Sequence, residues 1–139
     1  MMTPPDFPDD SLRSAFAAYP PDTALALLHL RALIYATAAE TTAAGQINET
    51  LKWGQPAYLT TPRTGSTIRL GSPKKSLAHL GDVAIFTHCQ TTIMSEFQAL
   101  CPPSFTFDGN RALILQSGNL PLDAQIRPLI TMALTYHRA

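Results

Sequence analysis

Apolar residues recur at helical spacing in the first third of the chain and at alternate positions after it. Asp9 and Asp10 stand where a cap belongs, and a short helix is expected from there to about Tyr19, stopped by Pro20-Pro21. Asp22 is placed to cap a longer helix reaching about Ala43. On it Leu25, Leu28, Ala32 and Tyr35 share one face, with Leu27, Leu30 and Ile34 beside them. So wide an apolar stripe predicts a helix lying on a sheet. Gly45 is a suitable stop. Ile47 to Trp53 reads as a short helical turn into a Gly-Gln-Pro corner.

Beyond that corner the period becomes two. Ala57–Thr61 and Thr67–Leu70 read as short strands joined through Pro62–Gly65, and Val83–His88 as a third, more apolar strand. Thr91 or Thr92 begins a helix to Leu100, ended by Pro102. Ser104–Asp108 and Arg111–Gln116 form the clearest hairpin, turning at Asp108-Gly109-Asn110. The last helix sets Ile126, Leu129, Ile130, Ala133 and His137 on one face. Pro128 implies either a start near Gln125 or a kink there. Residues 1–8 read as a flexible lead and 9–139 as a single domain. The order predicts an α+β fold, a twisted antiparallel sheet of about five strands with helices on one face.

Composition narrows the function classes. At 139 residues the chain can bury one core, and 45% of its residues are apolar. Ten basic residues balance ten acidic ones, and charged residues make up 14%. That balance argues against a nucleic-acid or membrane partner, either of which calls for a basic field. Acids and prolines occupy Met1 to Asp10, where a signal peptide has basic and apolar residues, so a cytoplasmic location is expected. Cys89 and Cys101 are then reduced thiols, and their spacing matches no Cys-x-x-Cys pair. No motif for catalysis or phosphate binding occurs, no catalytic residue is assigned, and no cofactor is specified.

The candidate chemistry lies in Glu49-Thr50-Leu51-Lys52-Trp53-Gly54-Gln55-Pro56-Ala57-Tyr58 and two later loops. Trp53 and Tyr58 form either a flat pocket wall, with Lys52 or Glu49 at its mouth, or packing at a helix-to-sheet corner; packing is the simpler reading. Cys89 sits before a helix N-terminus, yet His88 points to the opposite side of a strand, so Cys89 reads as a small buried residue and not an activated nucleophile. His79 could reach Cys89 only through the tertiary fold. Asn110 suits a positive φ, and Arg111 either contacts an anion or pairs with an acid. Lys74-Lys75 reads as a solvated pair. His29, His79, His88, His137 and the thiols show no metal-ligand spacing, and no metal site is assigned.

The run Leu51 to Tyr58, with Lys-Trp-Gly-x-Pro-x-Tyr after a long helix, resembles the YdhG-like family of small bacterial proteins, a group of unknown function. Three further pieces agree in order: His88-Cys89-Gln90-Thr91-Thr92, Phe107-Asp108-Gly109-Asn110-Arg111-Ala112 and Ala133-Leu134-Thr135-Tyr136-His137. The match runs from about Asp22 to the C-terminus. It implies a frataxin-like α/β sandwich, and one member is described as an iron chaperone. The acids of this chain are scattered from Asp6 to Asp123, without the clustering such iron sites use. The expected function is a non-enzymatic domain binding a small ligand or metal ion through Lys52, Trp53, Tyr58, Cys89 and Arg111. A protein-interaction module or small homo-oligomer is the alternative, and a thiol enzyme using Cys89 a third.

Overall fold

The computed structural model describes residues 3–137. Helix α1 (Asp10–Ala17) begins where Asp9 accepts the Leu12 N–H at 3.1 Å. Helix α2 (Pro21–Glu40) starts at a proline already fixed near helical φ, so Asp22 lies in the first turn and does not cap it. Six strands follow the order β1-β2-β3-β4-β6-β5, every neighbouring pair antiparallel. They are β1 (Gln46–Lys52), β2 (Gln55–Thr61), β3 (Ile68–Gly71), β4 (Val83–Phe86), β5 (Thr106–Asp108) and β6 (Ala112–Leu115). Helix α3 (Ile93–Gln98) falls between β4 and β5, and α4 (Asp123–Leu134) follows β6. The α+β class stands, with six strands in place of about five.

The extra strand is β1. Its residues Ile47, Glu49 and Leu51 turn toward the helices while Asn48, Thr50 and Lys52 turn away, a period of two where a helical turn was expected. The expected face of α2 is also corrected. Leu25 is 66% exposed and Leu28 half-buried, while Leu27, Leu30, Leu33 and Ile34 are buried. Leucines and alanines occur all round this helix, so spacing alone does not select its inner side. Pro128 sits inside α4 without ending it. His137 lies beyond the helix, exposed, and not on its apolar face.

One core fills the space between the helices and one sheet face. Leu27, Leu30, Leu33 and Ile34 of α2 meet Leu129, Ile130 and Ala133 of α4, over Tyr58, Ile68, Leu70, Val83, Ile85, Leu113 and Leu115. Arg31 of α2 is drawn into this core. Its Nε donates to Glu49 Oε2 at 2.6 Å and its Nη2 to Glu49 Oε1 at 2.8 Å, and Tyr58 Oη donates to Glu49 at 2.8 Å. Arg31 also donates to the Pro5 carbonyl at 2.8 Å and lies over the Phe7 ring at 4.3 Å. The lead that composition marks as flexible is thus held at two points.

Candidate functional site

Period two gives the sheet a second face, turned away from the helices. Arg69 of β3 pairs in register with Ala57 and with Phe86, and Phe86 with Ala112. This row of small, long, aromatic and small residues crosses the sheet on that outer face. The Arg69 guanidinium donates to Gln55 Oε1 at 2.6 Å and lies 5.1 Å from the centre of the Phe86 ring. A cation over an aromatic ring is held in place and keeps further donors for a partner.

Around this row lies a cavity of about 420 Å³. Lys52 and Trp53 reach it from the β1–β2 turn, Thr67 and Arg69 from β3 and the residue before it. Phe86 to Cys89 line it from the end of β4, and Arg111 from the start of β6. Thr87 Nα–H donates to the Arg111 carbonyl at 3.0 Å, and Asn110 Nδ2 donates to the Cys89 carbonyl at 2.6 Å, which ties the last two walls together. Four of the five residues expected to bind a ligand, Lys52, Trp53, Cys89 and Arg111, meet here. Tyr58 does not join them. It is wholly buried on the helix side of β2, and burial, reinforced by the Glu49 charge, raises its pKa.

Trp53 is 89% exposed, so it does not plug a corner. Trp53 and Gly54 have φ of 57° and 75°, the paired positive values of a type I′ hairpin turn. The first of these positions normally belongs to Asn or Gly, and a bulky residue there is strained. A strained, solvent-facing Trp that stabilises no core is what a binding surface retains. At the other turn Gly109, not Asn110, has the positive φ, and Asn110 serves through its side chain.

The electrostatics of the cavity are one-sided. Lys52, Arg69 and Arg111 line it, and no Asp or Glu does. Among the described residues none of these cations lies within 4 Å of a carboxylate, whereas Arg13, Arg31 and Lys74 each do. Thr87 is 3% exposed, and its hydroxyl has no hydrogen-bond partner among the described residues. That oxygen is itself closed off from solvent, so it offers a group in the cavity no contact. The site therefore offers donors and aromatic surface and calls for acceptors and negative charge.

Cys89 is exposed, contrary to the buried residue expected. The neighbouring His88 accepts the Gln90 backbone N–H on Nδ1 at 3.0 Å, so its Nε2 carries a proton and the ring has no lone pair to spare as a base. His79 lines neither this cavity nor its neighbour. Cys101 is half-buried, and burial raises its thiol pKa.

A larger cavity, about 560 Å³, lies between the lead, the end of α2 and β1. Asp6 lines it, and the Glu49 carboxylate behind it is already satisfied by Arg31 and Tyr58. No Lys, Arg or His lines it. Among the described residues no group of three or more His, Cys, Asp or Glu is placed to hold a metal ion, and no helix is long and apolar enough to cross a membrane. Comparison with protein-family models, curated proteins and solved structures gives no match for this chain.

Proposed function

We propose that this protein is a non-enzymatic binding domain for a small organic anion, held on the outer face of the sheet between Lys52, Arg69 and Arg111 with its body against Trp53 and Phe86. The observation that carries the reading is the convergence on one cavity of three cations that, among the described residues, have no carboxylate within 4 Å. Such an arrangement repels a metal ion, so the small-molecule half of the expectation is favoured over the metal-ion half. The antiparallel sheet with helices on one face is in keeping with a frataxin-like, YdhG-like assignment. That assignment is kept as part of this proposal.

Isothermal titration with phenyl phosphate tests it. Wild-type protein is expected to bind, and Arg69→Ala and Arg111→Ala each to weaken binding by about tenfold or more, the weight of one charged hydrogen bond. Equal binding by all three proteins, or none by the wild type, would remove the reading. The exposed Trp53 also favours a contact between copies of the chain. Light scattering of wild type and Trp53→Asn separates the two, because a contact through Trp53 loses mass in the variant and a ligand site does not.

A further inference from the structure

Next to the cavity just described lies a second one, of about 380 Å³. The two share Lys52, Thr67 and His88 as a common wall. The second is completed by Arg63, Gly65 and Ser66 from the β2–β3 loop, by Gln90 and Thr91 before α3, and by Tyr136 and His137 after α4. No Asp or Glu lines it, and among the described residues no carboxylate lies within 4 Å of Arg63. Four of the ten Lys and Arg residues thus border two adjoining cavities that hold none of the ten acids.

This second wall is built rigidly. The Ser66 N–H donates to the Ala133 carbonyl at 2.8 Å, and the His137 N–H to the Thr64 carbonyl at 2.9 Å. A Cβ on Gly65 would come within 2.6 Å of the Leu134 backbone, so the approach of loop to helix requires glycine. Arg63, Ser66 and His137 are therefore presented from a latched loop and from a latched position after α4. Fixing the backbone that carries these donors lowers the cost of binding. The larger aromatic surface, by contrast, lies in the first cavity, at Trp53 and Phe86, while the one aromatic ring of the second, Tyr136, accepts the Thr92 N–H through its hydroxyl at 3.3 Å.

From this division we infer that the two cavities form one cleft for a two-headed anion: a planar body and one anionic group in the first, a second anionic group, of phosphate type, at Arg63, Ser66 and His137. Lys52, on the shared wall, reaches both heads. The inference rests on the anion-binding reading above and adds the number and placement of the charged groups.

Adenosine 5′-monophosphate and adenosine 3′,5′-bisphosphate share one body and differ by one phosphate, which makes them suitable probes. With wild-type protein the bisphosphate is expected to bind about tenfold tighter than the monophosphate, the gain of one more charge-assisted contact. Arg63→Ala should abolish that advantage while leaving phenyl phosphate binding unchanged. Lys75→Ala removes the same charge from an exposed position outside the cleft and should leave the advantage intact. An equal advantage in wild type and Arg63→Ala would overturn the two-headed cleft, as would equal affinity of the wild type for both probes. Loss of the advantage in Lys75→Ala would show general attraction to net charge and would overturn it too. If phenyl phosphate binds in any of these cases, the first cavity stands and only the second anionic site falls.

Discussion

Arg31 and Arg69 lie on opposite faces of one sheet and meet opposite fates. Arg31 is 4% exposed, and its charge is matched by the bidentate Glu49, by the Pro5 carbonyl and by the Phe7 ring. Burial opposes its charge, the Glu49 carboxylate outweighs that, and its pKa rises. Arg69 has an amide oxygen and an aromatic ring and, among the described residues, no carboxylate within 4 Å. A buried charge must be satisfied from within the protein, because nothing else can reach it. A cavity-lining charge can stay unmatched, because water or a ligand satisfies it. The matched arginine therefore belongs to the fold, and the unmatched one is left for the site proposed above.

The comparison breaks most visibly at Arg31. Arg31→Ala leaves the Glu49 carboxylate buried without its cation and is expected to cost about 3–5 kcal/mol of stability. Urea unfolding followed by circular dichroism measures it. A loss near zero would mean that Glu49 reaches water and the cluster is not a structural one.

Alkaline pH attacks the same cluster through its phenols. Burial, and then the Glu49 charge, push the Tyr35 pKa up from 10.0 to about 12, and Tyr58 is raised as well. A raised folded-state pKa gives stability that is complete below the unfolded value and lost as pH rises through the folded one. Stability should therefore fall between about pH 10 and about pH 12. Tyr35→Phe should flatten part of that fall. Unfolding at stepped pH reads both, and a flat profile across this range would contradict the burial of the cluster.

On the other face the expected effects on stability are small and those on binding are not. Trp53→Asn places Asn-Gly in a type I′ turn and relieves a bulky residue at positive φ, so a gain of about 0.5–1 kcal/mol is expected. The same change should weaken binding of phenyl phosphate. A destabilised variant would show that the exposed ring packs on something. Arg69→Ala is expected to change stability little, by about 1 kcal/mol, for the loss of a half-buried ring contact and one amide bond. A larger loss would move Arg69 from site to scaffold.

Much of the architecture was legible because its signals are local. The Asp9 cap, the Pro20-Pro21 stop, the Asp108-Gly109 turn and the alternation in β2, β3, β4 and β6 each lie within a few residues of what they determine. Strand β1 escaped for a reason held elsewhere in the chain. Its middle core-facing position is Glu49, and a carboxylate there breaks the apolar alternation that marks a strand. Arg31, 18 residues earlier, and Tyr58, nine residues later, together with Tyr35, make that position tolerable. The turn after it was hidden in the same way, by a Trp where hairpin chemistry prefers Asn.

The site divides likewise. Lys52, Trp53, Cys89 and Arg111 could be singled out by residue type and by their place beside turns. Arg69 had a signal that was not used: it lies between Ile68 and Leu70, so alternation alone turns it away from the core. That Arg69 meets Phe86 and that Tyr58 faces the other way from Trp53 depend on strand register and on how the loops close. The sequence determined which residues can carry charge, turn the chain or alternate, since those are properties of single residues and near neighbours. The tertiary structure decided which charges are matched, because a charge is matched only by what folding brings within a few ångströms of it.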